Sequence, residues 1–527
     1  MHTLHIHNLS YQHPDGHEQF KQLNFSINEK ITAIIGANGS GKSILVNILA
    51  NHIQPSTGRV EFSGTRLFVS QQLRDHYFQD SSNTIAQQLG IDKKLAALIR
   101  ITHGSIAEAD FALVGDDWLC EQYYQQQLSD IGINTPINTP ITQLSPGQQR
   151  CLTLYCALAA KPDLLILDEP SNHLDRVAKQ WLISQLNTFG GQVIIVSHDC
   201  QLLDHSDAII ELNNRGYHYE TGNFTHFCQQ KELQQTALTK QINHLAKEQK
   251  KYQQQTQINH EKAQQRAAQG NKHRRKASQA KVMLDFNKNK AQASKGANER
   301  LASAKLNTLA QKQLALRQQQ PHKIESNLTF TQSTSNKRLL FIDKLCSAHI
   351  NRSTPITLQV FSGNKLHING PNGSGKSTLL KTINDSAQAR INPAIHLNSQ
   401  VLYIDQQCSF LIPLHSLMDA VQLHCGLEQQ VIRILLANLG FKGDAVYRQV
   451  AQLSGGEKMQ LAMLIAKQNA CSHLLLLDEP DNHLDLDNKQ HLAKSLADFI
   501  GSVILVSHDE VFVKQTTITT TLTLNEP

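Results

Sequence analysis

Two stretches of this chain set glycines, a lysine and a hydroxyl at a spacing that can hold a phosphate. They are Gly36-Ala37-Asn38-Gly39-Ser40-Gly41-Lys42-Ser43 and Gly370-Pro371-Asn372-Gly373-Ser374-Gly375-Lys376-Ser377-Thr378. The first follows the apolar run Ile31–Ile35 and the second Lys365-Leu366-His367-Ile368-Asn369, each opens a helical pattern, and strand, glycine loop and helix in that order make a P-loop. The glycines let successive backbone N–H groups turn inward around an anion, and the helix N-terminus adds a positive dipole end. Lys42 and Lys376 are expected to reach the β- and γ-phosphates of a nucleotide, and the Ser43 and Ser377 hydroxyls to bind Mg²⁺. Downstream, Leu164–Leu167 and Leu474–Leu477 are aliphatic runs that end in Asp168-Glu169 and Asp478-Glu479. Carboxylates at the end of a buried parallel strand lie where open α/β sheets place ligands. In each pair the aspartate is expected in the Mg²⁺ shell, and the glutamate is expected to orient and deprotonate a water. His198 and His508 end the next apolar runs, each 30 residues after its aspartate (198 − 168 and 508 − 478), and read as γ-phosphate sensors.

Other segments also come in pairs. Ser145-Pro146-Gly147 and Ser454-Gly455-Gly456 each open a helical pattern, where a capping serine and a glycine offer N–H groups to an anion. The runs ending in Gln71 and Gln406 read as short buried strands. Ser171–Asp175 matches Asp481–Asp485 directly after the acidic pairs. Tyr11 lies upstream of the first P-loop, where its ring could stack on adenine or simply end a strand.

The elements that must position these groups follow from the same duplication. The lysines are 334 residues apart (376 − 42), the signature serines 309 (454 − 145), and the aspartates 310 (478 − 168). The first copy therefore holds about 25 extra residues, somewhere within 73–143. Between the copies the composition turns to Gln, Lys and Ala. Residues 229–323 carry 20 Lys/Arg against 5 Asp/Glu, within a chain of net charge +6. Leu238, Ile242, Leu245, Gln249 and Tyr252 are spaced 4, 3, 4, 3, and Ala302, Leu306, Leu309, Gln313 and Leu316 repeat that spacing. Such spacing predicts two helices forming an antiparallel coiled-coil hairpin, with Gly270 breaking the first. Lys272, Arg274, Arg275 and Lys276 would then sit at the turn as a nucleic-acid-binding cluster. No apolar run approaches the ~18 residues of a membrane span, and the first residues lack the cationic and apolar parts of a signal peptide. The nine cysteines are scattered without a Cys-x-x-Cys pair, which points away from a zinc site or disulfide framework and fits reduced thiols in a cytoplasm.

With both sets of motifs in view, the chain resembles the ABC-F family of ATP-binding cassette proteins, which carry two cassettes in one chain and no membrane domain. The Asp-Glu-Pro-x-Asn-His-Leu-Asp form at Asp168–Asp175 and Asp478–Asp485 is the most specific mark. The resemblance implies an α/β fold of two P-loop ATP-binding cassettes, 1–228 and 324–527, joined by a basic helical hairpin linker at 229–323. It implies head-to-tail sites. One combines Lys42, Ser43, Gln71, Asp168, Glu169 and His198 with Ser454, Gly455 and Gly456. The other combines Lys376, Ser377, Gln406, Asp478, Glu479 and His508 with Ser145 and Gly147. The glutamines are expected to join the Mg²⁺ shell. Both sites lie in one chain, so a monomer suffices. The expected activity is ATP hydrolysis in the cytoplasm, with a closed form that binds RNA, foremost the ribosome through tRNA or ribosomal RNA. The competing reading is the ATP-binding subunit of a transporter with separate membrane subunits. Two positions depart from the family pattern: Pro146 replaces a glycine, and Cys151 and Gln460 stand where such cassettes carry arginine.

Overall fold

A computed structural model describes residues 3–71, 83–172, 174–213, 216–275, 300–301, 303–317, 337–345, 355–371, 373–389, 392–469, 473–482, 484–518 and 520–524. Asn372 and Lys276 lie outside the described residues, as do Ala302, Cys346, His173 and His483. The chain divides into two units, Met1–Phe224 with Glu325–Pro527, and Thr225–Ile324.

In the first unit each P-loop strand lies inside a parallel sheet. The first copy orders its strands Arg66–Val69, Leu164–Asp168, Gln192–Val196, Ile31–Gly36, Ala208–Asn213 and Gly216–Thr221, the last antiparallel. The second orders Gln400–Ile404, His473–Asp478, Ser502–Val506, Lys365–Asn369 and Thr520–Thr523. Sheets with both faces covered need strands that are apolar all along, and Leu164–Asp168 and Gln192–Val196 are buried at every residue. Alternate side chains go to opposite faces. Leu164 and Ile166 therefore pack with the P-loop helix Lys42–Leu49 and a three-stranded antiparallel sheet, whereas Leu165 and Leu167 face Leu152, Leu154 and Leu182. The second copy divides its strand the same way, Leu474 and Leu476 on one face and Leu475 and Leu477 on the other.

The extra residues of the first copy are now placed. Thr84 and Ser416 are matching helix caps, each with a capping box and a bridge to the segment before the next motif. From these caps to the signature serines the first copy spends 61 residues (145 − 84) and the second 38 (454 − 416), so 23 of the extra 25 lie there. Over that span the first copy has helices Ile85–Gln88, Asp92–Thr102, Glu108–Val114 and Cys120–Asp130, where the second has Leu417–Cys425 and Gln429–Asn438.

The described residues of the second unit are helical. Phe224–Arg275 is one helix of 52 residues. It runs through Gly270, so the expected break there is absent. A single glycine in a helix costs only about 1 kcal/mol, and its glutamine, alanine and lysine neighbours are good helix formers. Lys272, Arg274 and Arg275 thus lie on the last described turn of a helix. Ile242 is buried, and Leu238, Leu245, Gln249 and Tyr252 are half-buried among exposed neighbours. In the second helical stretch Leu309 is buried and Leu306, Gln313 and Leu316 half-buried. The two stretches meet where Lys305 Nζ lies 4.7 Å from the centre of the Tyr252 ring. Among the described residues no helix is long and apolar enough to cross a membrane.

Ile166 is fully buried at the centre of the first sheet. Ile166→Ala should lower stability by about 2–5 kcal/mol, read as a shift in the denaturant midpoint with an unchanged slope.

Candidate functional site

The P-loop glycines are required by close backbone approach. A Cβ on Gly36 would lie 2.4 Å from the Leu212 carbonyl oxygen, and one on Gly370 2.4 Å from that of Leu524. Gly41 caps its helix at φ 92°, in the left-handed region that glycine enters freely. Lys42 Nζ donates to the carbonyls of Gly36 and Ala37 at 2.7 and 3.1 Å, and Lys376 Nζ to those of Gly370 and Pro371, both at 2.8 Å. Burial pulls both lysines below their ordinary pKa, a tendency their neighbouring carboxylates oppose. Ser40 Oγ and Ser374 Oγ are buried inside the loops without a hydrogen-bond partner.

Around the first P-loop a cleft of about 470 Å³ gathers Asn38, Gly39, Gly41, Lys42 and Ser43 with Gln71, Asp168, Glu169 and His198. The sheet brings these together because its parallel strands all end on this side. In the second copy Ser377 Oγ donates to Asp478 Oδ1 at 2.9 Å, and Gln406 Nε2 to Glu479 Oε2 at 2.6 Å. Thr378 follows in the same helix, and Gly373 and Gly375 carry the positive φ of the loop.

Both glutamates sit in the left-handed backbone region, Glu169 at φ 47° and Glu479 at φ 49°, while their N–H groups are fixed on the Val196 and Val506 carbonyls at 2.8 and 2.9 Å. Such backbone strain persists only where the surroundings over-determine it. Burial, followed by the adjacent Asp168 charge, pushes the Glu169 carboxyl up to about 7, and burial raises Glu479 as well. His198 Nε2 and His508 Nε2 each stand 3.6 Å from the Oε1 of their glutamate. Burial drives His198 well below its ordinary pKa and His508 to about 3, so both rings are neutral. His198 Nδ1 and His508 Nε2 are buried without a hydrogen-bond partner. A buried carboxylate near neutral pKa beside a neutral imidazole with an uncommitted nitrogen can take a proton from water and donate to an anion.

Sequence reasoning missed two residues. His13, with Gln19, lines the first cleft, whereas Tyr11 packs against Phe20 and against the edge of the His13 ring. Strand Leu4–Gln12 ends before His13, so the residue after the strand meets the cleft, and of the two places open to Tyr11 the structure gives it the strand end. Arg150 is the second. Buried, it donates to the Ser70 carbonyl at 2.6 Å and to those of Asp168 and Glu169 at 2.8 and 3.1 Å. It stands one residue before Cys151, where an arginine was sought, and its counterpart is Met459. Ser145 and Ser454 cap their helices as expected, each accepting an N–H three residues on at 3.3 Å. Pro146 takes the first helical position, where no N–H is needed. Ser145, Gly147, Ser454, Gly455 and Gly456 do not line the first cleft.

The doubled sheet with a phosphate loop, an acidic strand end and a histidine in each copy defines a tandem ATP-binding-cassette ATPase. The family model described as "ABC transporter" matches residues 20–172 and 353–482. The chain is 26% identical to the energy-dependent translational throttle protein EttA of Mycobacterium tuberculosis, over 94% of this chain and 86% of that protein. It is 27% identical to the ribosome protection protein VmlR of Bacillus subtilis, over 97% and 84%. Among solved structures, RNase-L Inhibitor covers 98% of this chain and 87% of its own at a TM-score of 0.55 and 15% identity, a likeness of fold alone. The chain belongs to the ABC transporter family and is an ABC-F type ATPase with two cassettes in one polypeptide.

The placement of His13 generates a test. In a Lys376→Ala background, His13→Ala should weaken ATP-analogue binding at the first site about tenfold, within the ~1–3 kcal/mol of base stacking. Tyr11→Ala should leave that affinity within about twofold and lower the melting temperature instead.

Proposed function

We propose that the chain is a cytoplasmic ATPase whose two cassettes close on ATP and Mg²⁺, and whose closed form binds RNA, foremost the ribosome. The observation that carries the closing step is the way each phosphate loop faces the other cassette. The Asn38 N–H donates to Asp485 Oδ2 at 3.1 Å. The charge of Asp485 acts on Lys42, and that of Asp175 on Lys376. ATP seated on one loop would therefore meet donors from the opposite cassette. Ser454, Gly455 and Gly456 would complete the first site, and Ser145 and Gly147 the second, so one chain holds all the parts.

Within each site the donors suit the chemistry. Hydroxyl, carboxylate and amide oxygens are hard ligands that fit Mg²⁺. Ser43, Gln71 and Asp168 would hold it at the first site, and Ser377, Gln406 and Asp478 at the second. Bound there, Mg²⁺ neutralises charge on the β- and γ-phosphates. Glu169 and Glu479 take the proton of the attacking water. His198 and His508, held neutral, donate to the γ-phosphate. Hydrolysis removes the group that bridges the cassettes, and they part.

Support for the ribosome comes from two sides. The relatives EttA and VmlR are named as a translational throttle and a ribosome protection protein. The linker concentrates positive charge that neither site uses, and a polyanion is its natural partner. Glu169→Gln with Glu479→Gln should keep ATP binding, lower hydrolysis by about 10²–10⁴, and trap the chain on its partner. Co-sedimentation with ribosomes in ATP is the expected result; co-sedimentation with membranes would favour the transporter-subunit reading.

The linker yields a separate test. Changing Lys272, Arg274, Arg275 and Lys276 to alanine should flatten the salt dependence of ribosome binding by up to about four phosphate contacts, each worth roughly 0.7–0.9 in the log–log slope. Partner-free ATP hydrolysis should stay within about twofold. Equal binding at every salt concentration would reduce the cluster to a spacer.

A further inference from the structure

Two buried lysines between the sites have no part in the chemistry above. Lys179 and Lys489 are equivalent residues, each one turn into the helix after its acidic motif, in Arg176–Thr188 and Leu486–Ala497. Their side chains are only 11% and 14% exposed. A cation at that place opposes the positive end of the helix dipole, and burial removes its hydration, so each needs carboxylate partners. Lys179 stands 2.7 Å from Asp199 Oδ2 and Lys489 3.2 Å from Asp509 Oδ2. These aspartates follow His198 and His508 directly and cap the next helices. Each lysine thus ties its own cassette's histidine turn to the helix behind its acidic motif.

Lys489 does more. Its Nζ also donates, at 3.2 Å, to the backbone carbonyl of His198 in the other cassette. The carboxylates of Asp199 and Glu169 act on it from across the same boundary. The two copies differ here, because Asp481 occupies the position of Ser171. Asp481 is buried with Oδ1 unpartnered, and adds a second carboxylate of its own cassette beside Lys489. Lys489 is therefore held in its own cassette by contact with Asp509 and by the charge of Asp481, while it donates to a carbonyl of the other. An ion pair also crosses the boundary, Arg176 with Glu510 at 3.0 Å, but at 66% and 38% exposure it contributes little.

We propose that Lys489 is a positioning residue for the first ATP site: from the second cassette its ammonium fixes the His198 backbone against Glu169, and so makes hydrolysis at the first site depend on docking of the second cassette. Coupling of this kind is a free energy shared between two sites; Lys179 acts on His508 across the boundary through its charge, whereas Lys489 also hydrogen-bonds the His198 carbonyl, so the coupling is stronger toward the first site. The idea rests on Glu169 and Glu479 as the water-activating groups.

The test reads each site separately. In a Glu479→Gln background turnover reports the first site, and in a Glu169→Gln background the second. Lys489→Met should lower kcat at the first site about tenfold or more, approaching the ~10²-fold that a 1 Å misplacement costs, with KM within about twofold. The second site should lose less than about threefold, although Lys489 belongs to that cassette and pairs with its Asp509. Lys489→Arg, which keeps a cation of similar reach, should recover part of the first-site rate. Where Lys489→Met fails to fold, Lys489→Gln carries the same comparison, because the ratio of first- to second-site turnover must still fall. An unchanged ratio, or a larger loss at the second site, overturns the proposal. Full turnover in the single glutamate variants would overturn the glutamate assignment instead, and Lys489→Met in the otherwise unaltered chain must still lower total turnover for the coupling to stand.

Discussion

Both sites depend on one constraint: a strand of four aliphatic residues, covered on both faces, must end in two carboxylates. Burial of Leu164–Leu167 and Leu474–Leu477 fixes the sheet, and the sheet fixes where Asp168, Glu169, Asp478 and Glu479 emerge. The parallel neighbours end on the same side and deliver the phosphate loop and the histidine to that point. Apolar packing therefore sets the geometry of the most polar part of the molecule. The same packing excludes water, which raises the glutamates and holds the histidines neutral.

Much of this is legible in the sequence because the patterns are local and appear twice. Glycine loops, aliphatic runs and the acidic ends recur at nearly constant offsets, and the parallel sheets lie where those runs predict. What sequence could not show depends on three-dimensional neighbours. His13 was overlooked because a strand end decides which side chain meets the cleft, and Tyr11 has the more obvious ring. Arg150 was overlooked because the expected arginine was placed one residue on, at Cys151, and only the structure shows that position 150 faces the Asp168 and Glu169 carbonyls. Gly270 misled because helix propensity is a weak prior against a long run of good formers. The pairing of Lys489 with the His198 carbonyl joins residues 291 apart, beyond any periodicity.

The two copies are alike in plan and unlike in detail, and the differences gather around the chemistry. Tyr403 occupies the place of Phe68 and donates to Asp478 Oδ2 at 3.0 Å. His367 replaces Ala33 in the phosphate-loop strand and hydrogen-bonds the Ser507 carbonyl at 3.1 Å. Arg150 supports the first acidic strand end where Met459 cannot. In the second copy Asn482 Nδ2 and Gln406 Nε2 both rest on Glu479 Oε2, at 2.5 and 2.6 Å. One scaffold thus carries two differently supported carboxylate pairs, and the halves are not interchangeable.

The left-handed backbone at Glu169 and Glu479 sets two demands against each other. A non-glycine residue in that region carries strain of order 1–3 kcal/mol, which glycine would not. The fold alone would be more comfortable with glycine at both places. If the two glutamates act as proposed, selection for thermal robustness and selection for turnover pull in opposite directions at the same two codons. On the proposed mechanism, a lineage that kept the scaffold as a binding module and gave up hydrolysis would gain by glycine at these two positions and by no other residue, because only the loss of the Cβ releases the strain.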